Sequence, residues 1–531
     1  MDLGSALSIA SSGLNGIEYQ YSVISQNVAN SSTAGYASET ASVTSAVAGN
    51  QGTGVRIGQT IVNVSPYLQS SLYSQNAKVS ALTASSNSLA AVESVQGSTS
   101  SDSGSTETLS DELGNVQSAL TSLTSSPLES SAQTAVITAA SSLTDTIHTL
   151  ASTYTEQRQT AEDGIVATVS TINQDLTQIG QLSKQIMGLQ AVGSDTSSLE
   201  NSRLQIMNDL STQLGVKFTE TSKGDMVVTT EDGTQLPTRP DQIGLSDSTQ
   251  TLPSNTWPLS ATNGGTASTT ITDKMYYDSS DPTNSAIAGI TVADGKTSTS
   301  TTDITSHMTS GTLGANITLR DTTYPTMQAQ LNAFSATVIN RFTAAGMSLF
   351  TDGSGNTSVA VSTTGSNSSL TNLANTISVN STYSDTPSDL APSGSVTTIS
   401  SVLSDTFGTS STNVSGTTTL SDGTVVTLDS PTSGLGPDGT QTTGYSGSQG
   451  LVALATSLTS NQGATISTAT TNLTYATAVQ TTLSTKVTNV SGVNVNNEMA
   501  KIVALQNAYT ANAKIISSVQ TMFSALLDAI N

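Results

Sequence analysis

Two histidines and one glycine-rich acidic loop are the residues of this chain whose types could support chemistry. His148 lies in helix-compatible sequence without a second ligand four residues on, and His307 lies in the polar stretch "TSHMTSG". Because a metal or general-base site needs several convergent groups, we expect both histidines to serve packing or surface roles. The stretch "DGSGN", which begins at Asp352, lacks the alternating acidic ligands and the terminal glutamate of a calcium loop, and it predicts a turn.

Other catalytic signatures are also missing from the sequence. It contains no metalloprotease, phosphate-loop or nucleophile-elbow motif, and none of its many serines has a plausible base nearby. The chain has no cysteine, which excludes disulfides, thiol catalysis and cysteine-ligated metals. The sequence therefore predicts a protein that is not an enzyme and has no catalytic, metal-binding or cofactor-binding residues.

Composition narrows the class of protein further. At 531 residues the chain is long enough for three or four domains, at roughly one per 150 residues. Its net charge is −23, from 15 Lys and Arg against 38 Asp and Glu, so phosphate backbones and anionic lipids are poor partners. The N-terminus has no basic region followed by an apolar run, and no apolar run of about 18 residues occurs elsewhere. We therefore expect no nucleic-acid binding, no membrane insertion and no cleaved signal peptide.

Without catalytic residues, the candidate functional elements are helices that could mediate assembly. The first of them lies at the N-terminus. Apolar residues alternate there at four- and three-residue spacing, which is typical of a heptad seam. Each interrupting glycine weakens the helix by about 1 kcal/mol relative to alanine, so the segment needs a partner to fold against. The predicted assembly residues of this helix are Leu3, Leu7, Leu14, Ile17, Tyr21, Ile24 and Val28.

The last forty residues carry a matching stripe with a second apolar row beside it. One row can pair with the N-terminal helix while the other meets another subunit. Asn494 or Asn496 can cap this helix, and Glu498 sits favourably in its first turn. Two ordinary core helices of one domain are the alternative interpretation. The predicted residues are Met499, Ile502, Tyr509, Ile515, Ile516, Val519, Met522, Phe523, Leu526, Leu527 and Ile530.

Between the ends, helical patterns alternate with period-two patterns. Helical runs are predicted at about 130–157 and 160–190. The order predicts an α+β multidomain fold, in which an α-helical coiled-coil or bundle body is formed by the N- and C-terminal regions and carries two inserted β-rich domains. The predicted units are an N-terminal helix and extended arm at 1–65 paired with an assembly helix at 490–531, a helical body at 66–215 completed by 310–350 and 449–489, and β-rich insertions at 216–309 and 351–448.

The N-terminal helix is predicted to end within "NVANSSTAGY", where asparagines can bond backbone groups and Gly35 can take a positive φ. The segments "SGLNGIEYQYSVISQNVANSSTAGYASE" and "SGVNVNNEMAKIVALQNAYTANAKIISSVQTMFSALLDAIN" resemble the two ends of the flagellar rod, hook and hook-associated axial proteins. One departure is Ala34, which stands where the family usually has proline. The helix-ending motif of the family corresponds to Asn27, Asn30, Thr33, Gly35 and Tyr36.

The resemblance implies an extracellular structural component of the bacterial flagellum, exported by the flagellar type III apparatus and required for motility. It favours an adaptor at the hook–filament junction that assembles through its terminal helices. The implied partners are other copies in an axial ring, the hook protein, the next hook-associated protein, and a cytoplasmic export chaperone that holds Ala504–Asn531. A flagellar hook or distal rod protein is an alternative, and a Ser/Thr-rich surface adhesin is an alternative from another class.

Overall fold

The computed structural model describes residues 3–48, 51–97, 107–262, 268–362, 364–408 and 414–530. The sequence also predicts a polar loop at "QGSTSSDSGSTETLS", which begins at Gln96, and most of it lies outside the described residues. The helices are α1 Leu3–Ala29, α2 Pro66–Gln96, α3 Leu109–Ser125, α4 Ser130–Ala191, α5 Ser197–Gln213, α6 Gly311–Thr318, α7 Tyr324–Ala344, α8 Ser381–Asp385, α9 Thr397–Ser401, α10 Leu451–Ser491 and α11 Val495–Ile530.

The strands are short and antiparallel throughout the described residues. They are β1 Glu39–Thr40, β2 Val43–Ala48, β3 Gln51–Ile57, β4 Ile61–Val62, β5 Val216–Glu220, β6 Met226–Thr230, β7 Gln235–Leu236, β8 Leu259–Ser260, β9 Thr291–Ala293, β10 Thr301–Asp303, β11 Phe350–Thr351, β12 Ser378–Val379, β13 Thr417–Thr419 and β14 Val425–Thr427.

The helical body is a bundle assembled from distant parts of the chain. Helix α2 packs against α5, α6 and α10, while α4 packs against α3, α5, α6 and α7. Burying each large aliphatic or aromatic side chain contributes roughly 1.5–3 kcal/mol, so this interface holds the body together. Its fully buried residues include Leu113, Leu120, Leu143, Ile147, Phe334, Val338 and Leu454. The predicted α+β multidomain class, with long terminal helices and small sheets between them, is confirmed.

One difference from the sequence pattern is the length of α4, which joins the two predicted runs into a single helix of 62 residues. The connecting sequence contains no proline, and Ala161 and Ile165 continue the buried face. Gly164 lies within this stretch but costs only about 1 kcal/mol. A Cβ atom there would lie 2.7 Å from the side-chain nitrogen of Asn316. The glycine therefore allows α6 to pack closely against α4.

Two helices begin at residues that favour a helix N-terminus. Pro66 occupies the first turn of α2, and Asn494 caps α11 by accepting a hydrogen bond from the amide of Asn497 at 3.2 Å. Of the two predicted caps, the structure therefore selects Asn494 over Asn496. No helix within the described ranges is long and apolar enough to cross a membrane.

The first insertion contains two three-stranded sheets, in the orders β5-β6-β7 and β10-β9-β8. The turn at Lys223–Asp225 joins β5 to β6, and the turn at Glu231–Gly233 joins β6 to β7. Gly224 and Gly233 adopt φ values of +85° and +100°, which a side chain would disfavour. The sequence signals for these turns, Lys-Gly-Asp and Glu-Asp-Gly between β-branched runs, thus coincide with the two hairpins.

The second insertion has less regular structure than the first. Its described strands form two small pairs, β11-β12 and β13-β14, and most of the rest is turns and short helices. The strands are short because Ser, Thr and Gly supply few large side chains to bury. The predicted turn at Asp352 is confirmed, since its carboxylate accepts hydrogen bonds from the amides of Ser354 and Asn356, both at 2.8 Å.

Buried arginines fasten the insertions to the body. In α7, the guanidinium of Arg341 donates to the carbonyls of Leu428 at 2.8 Å, Gln449 at 2.5 Å and Val414 at 3.1 Å. Burial lowers the pKa of Arg341 to about 10, with Asp429 opposing the change. Hydrogen bonds from one side chain to several main-chain oxygens therefore hold the second insertion against α7.

A second arginine cluster lies where α4 meets the irregular turn between α6 and α7. Arg320 and Glu162 form a fully buried ion pair at 2.7 Å, and Arg320 also makes a bidentate pair with Asp321 at 2.7 Å. Arg158 donates to the Arg320 carbonyl at 2.8 Å. Because each charged group of the cluster is either ion-paired or hydrogen-bonded, the cluster fixes the geometry of the body.

Candidate functional site: the paired terminal helices and the arm between them

The N-terminal helix α1 and the last helix α11 pack against each other in antiparallel directions. Asn27, near the end of α1, lies 3.5 Å from the carboxylate of Glu498 in the first turn of α11. Gly13, earlier in α1, lies beside Asn512, farther along α11. A Cβ atom at Gly13 would lie 3.3 Å from the side-chain nitrogen of Asn512, so the glycine allows the two helices to approach closely.

The predicted N-terminal residues differ in how far they are covered. Ile24 is buried and Tyr21 is exposed. The remaining five, all half-buried, are Leu3, Leu7, Leu14, Ile17 and Val28. An open groove of about 420 Å³ runs between Ile17 and Tyr21 on α1 and Leu505 and Tyr509 on α11. The helices are therefore paired without being sealed against solvent.

Helix α11 keeps most of its apolar side chains at the surface. Val519 is buried, and Ile502 and Ile516 are half-buried. The other predicted residues with described side chains are exposed, namely Met499, Tyr509, Ile515, Met522, Phe523, Leu526 and Leu527. The side chain of Ile530 lies outside the described residues. The pair thus presents an extended apolar surface, a feature that marks interaction sites on soluble proteins.

Two asparagines hold the extended segment that follows the N-terminal helix, which we call the arm (residues 37–40). The side-chain amide of Asn27 donates to the carbonyl of Glu39 at 2.8 Å and accepts from its amide at 2.8 Å. Asn201 in α5 does the same to Ala37, at 3.1 and 2.9 Å. Each asparagine therefore satisfies both backbone groups of one arm residue, as a neighbouring strand would.

The helix-ending motif prepares this arrangement. Asn30 donates to the carbonyl of Gln26 at 3.0 Å and accepts from the hydroxyl of Thr33 at 3.4 Å. Gly35 has a φ of +77°, as predicted, and turns the chain from α1 into the arm. Tyr36 then donates to Asn27 at 3.2 Å. The predicted local role holds for Asn30, whereas Asn27 reaches twelve residues ahead.

Two buried carboxylates flank the Asn27 amide. Glu39 accepts from Asn201 at 2.8 Å and from the hydroxyl of Ser197 at 3.3 Å. Glu498 is paired with Lys501 at 2.7 Å. Burial, together with the charge of Glu39, raises the pKa of Tyr36 well above its usual range, so this hydroxyl stays protonated as a donor. The site is therefore a network of satisfied polar groups at the base of the terminal helices.

A second polar anchor joins α1 to the start of α5. The hydroxyl of Tyr19 lies 2.6 Å from that of Thr60 and 3.4 Å from the carboxylate of Asp195, which also accepts from Thr60. Burial alone would raise the pKa of Asp195, but hydrogen bonds from Thr60 and Ser197 outweigh it and lower the pKa. Asp195 is therefore a stable anionic acceptor for the helix and the loop after β3.

The sequence did not single out Asn201 or Glu39, although both are central to the arm. Asn201 bonds Ala37 and Glu39 across more than 160 residues of sequence, so no local spacing reveals these contacts. The available signal was a polar residue on the otherwise buried face of α5, where Asn201 lies between Ser197 and Leu204.

The side chains of this site position chain segments through hydrogen bonds. Within the described ranges, no group of three or more His, Asp and Glu side chains could hold a metal ion. His148 contacts the carbonyl of Ile377 at 2.8 Å, and His307 pairs with Asp232. Both histidines therefore lie in contacts between parts of the fold, away from the terminal helices.

Comparison with known families gives two matches. A model described as "Flagellar hook-associated protein FlgK helical domain" matches residues 98–358, and one described as "Flagellar basal body rod FlgEFG protein C-terminal" matches residues 486–529. The first spans α3 to α7 with the first insertion, and the second spans the end of α10 and nearly all of α11. Together they define a structural protein of the bacterial flagellum. Within that class, residues 98–358, just under half of the chain, are similar to the helical domain of the FlgK hook-associated proteins.

Among solved structures, the flagellar hook junction protein FlgK from Burkholderia pseudomallei is similar to the chain, at 21% sequence identity and a TM-score of 0.39. The match covers 54% of this chain and 45% of that protein, so it spans less than half of that relative's length. No curated protein sequence matches the chain.

Proposed function

We propose that this protein is a non-enzymatic adaptor at the junction between the flagellar hook and filament, assembled through its terminal helices. The observation that carries the proposal is the exposure of the apolar side of α11. Leu526 and Leu527 are 57% and 61% exposed although α11 is already paired with α1. A monomer gains nothing from such a surface, whereas a ring of neighbouring subunits would bury it.

Few hydrophobic side chains are buried in α1 and α11, and this supports assembly that is coupled to ordering of the two terminal helices. The buried hydrophobic residues of α1 are Ala10, Val23 and Ile24, and the described hydrophobic side chains of α11 include one buried residue, Val519. So few buried side chains do little to offset the ordering entropy of two long helices. We expect the pair to be loosely ordered in the exported monomer and fixed when neighbouring subunits cover it.

The proposed partners follow from the same surface. Other copies, the hook protein and the next hook-associated protein would pack along the axis formed by the terminal helices. A cytoplasmic export chaperone would cover the apolar rows within Ala504–Asn531 before export by the flagellar type III apparatus.

Truncation after Asn494 tests the proposal. The shortened chain should remain a folded, soluble monomer by circular dichroism and gel filtration, because α11 contributes little to the helical core. It should neither join purified hooks nor bind the chaperone. Normal co-assembly of the truncated chain would sink the proposal, and retained ligand binding through the insertions alone would favour a surface adhesin.

Point variants make the test sharper. Leu526→Asp should block attachment to hooks without unfolding the monomer, because the side chain is exposed. The matched control is Ser518→Asp, which places the same charge at an exposed polar position of the same helix. Equal attachment of both variants would contradict the assigned surface. If the full chain forms long tubes without hooks, it acts as a hook or distal rod protein instead.

A further inference from the structure

One stretch of the first insertion lies along helix α4, and we call it the strap (residues 268–275). Gln159 bonds it twice, accepting from the amide of Ile271 at 2.7 Å and donating to the carbonyl of Thr269 at 3.1 Å. Arg158 donates to the carbonyls of Thr272 at 3.3 Å and Met275 at 2.6 Å. The strap is therefore attached along its length by side chains of the helical body.

Asp273, within the strap, is 9% exposed and has partners in three parts of the molecule. One carboxylate oxygen accepts from the hydroxyl of Thr155 in α4 at 2.7 Å and from the amide of Gln328 in α7 at 2.9 Å. The other oxygen accepts from the side-chain amide of Asn375, in the second insertion, at 2.6 Å. One buried carboxylate thus joins the first insertion, the body and the second insertion by charge-assisted hydrogen bonds.

The segment that carries Asn375 is itself held in place. The amide of Ala374 donates to Asn332 of α7 at 2.8 Å, and the carbonyl of Ile377 contacts His148 of α4 at 2.8 Å. Asn372 adopts a φ of +75°, which directs the turn so that its side chain accepts from Asn375 at 3.0 Å. Asn375 is therefore pre-oriented toward Asp273, and the contact is between two anchored segments.

We propose that the Asp273–Asn375 contact couples the two insertions, so that they open as one unit with the helical body. A buried polar network of this kind is cooperative, because loss of one partner leaves the others unsatisfied in a low dielectric. Asp273 is a positioning residue in this scheme.

Hydrogen exchange on the full-length chain tests the coupling. Asn375→Ala removes the bond between the insertions while leaving the other partners of Asp273 in place. We expect exchange to rise by about tenfold both in residues 372–377 and in the strap, about 100 residues away in sequence. The control is Asn356→Ala, because that side chain pairs with Asp352 within its own surface turn. A rise confined to residues 372–377 would overturn the proposal.

A second measurement reads the relative position of the insertions. Because the chain has no cysteine, nitroxide labels can be attached at cysteines introduced for Thr301 and Thr419, which are exposed strand positions in the first and second insertions. The distance distribution measured by electron paramagnetic resonance should be narrow in the parent and broader with Asn375→Ala. An equally broad distribution in both would show that the insertions move independently and would overturn the proposal.

Discussion

Asn27 and Glu39 are joined by two hydrogen bonds, one from the side-chain nitrogen of Asn27 to the Glu39 carbonyl and one from the Glu39 amide to the Asn27 oxygen, both at 2.8 Å. The pair fixes the direction in which the chain leaves α1. It also places Asn27 beside Glu498 at the start of α11, so that both terminal helices share one base.

Replacing Asn27 tests that arrangement. Asn27→Ala leaves both backbone groups of Glu39 unpaired in a buried position, which should destabilise the terminal unit by about 1–3 kcal/mol. The Glu39 amide should exchange faster with solvent, as measured by hydrogen exchange. Asn30→Ala is the control, because Asn30 bonds a carbonyl within its own turn and should cost about 0.5 kcal/mol or less. Equal exchange at Glu39 in both variants would contradict the assignment.

Two glycines of α4 should respond in opposite directions to alanine. A Cβ atom at Gly180 would overlap the carbonyl oxygen of Thr238 and lie 2.7 Å from Arg239, so Gly180→Ala should destabilise the first insertion by about 1–3 kcal/mol. Gly188 has nothing within 4 Å of a Cβ, and Gly188→Ala should stabilise the helix by up to about 1 kcal/mol. Fluorescence of Trp257, the only tryptophan of the chain, reports unfolding of this insertion.

Asp175 should make stability depend on pH. Burial, with a contribution from the charge of Asp209, raises the pKa of Asp175 to about 7, and one of its buried oxygens has no hydrogen-bond partner. The native state therefore holds the proton more tightly than the unfolded chain, whose aspartate has a pKa of about 3.9. Native stability from this group is highest below about pH 4 and is lost as the pH rises toward 7.

Asp175→Asn removes that dependence. Three pKa units correspond to about 4 kcal/mol, and because the group is partly exposed we expect about 1–2 kcal/mol of added stability at pH 8. At pH 4 the variant and the parent should be nearly equal. Urea unfolding at pH 4, 6 and 8 measures the difference, and the same gain at every pH would show that ionisation of Asp175 is not its cause.

Arg341 should be required for the second insertion to stay folded on α7. Arg341→Lys keeps the charge but loses the planar donor group, so main-chain oxygens of Leu428 and Val414 lose their donor, at a cost of about 2–4 kcal/mol. Limited proteolysis should then cut residues 414–448 faster while the helical body stays intact. Arg56→Lys, at an exposed strand position, is the control and should leave the digestion pattern unchanged.

Much of the helical architecture could be read from the sequence. The 4-3 spacing of apolar residues predicts α1 and α11, because the period of a helix places those side chains on one face whatever the rest of the chain does. Turns are equally local, and Gly35, Gly224 and Asp352 act through their own backbone conformations or near neighbours. The full length of α4 could not be predicted, because its apolar pattern is interrupted between the two predicted helical runs. Packing against α6 keeps the chain helical there.

The contacts that fix the parts relative to one another were decided only in the tertiary structure. Asn201 with Ala37, Asp273 with Asn375 and Arg341 with Leu428 join segments between 87 and 164 residues apart, and no periodicity marks them in advance. The sequence alone determined that both ends are amphipathic helices in need of partners, since amphipathicity is a property of local spacing. Which backbone groups their neighbours satisfy, and how much of their apolar surface stays uncovered, depends on the distances that folding creates.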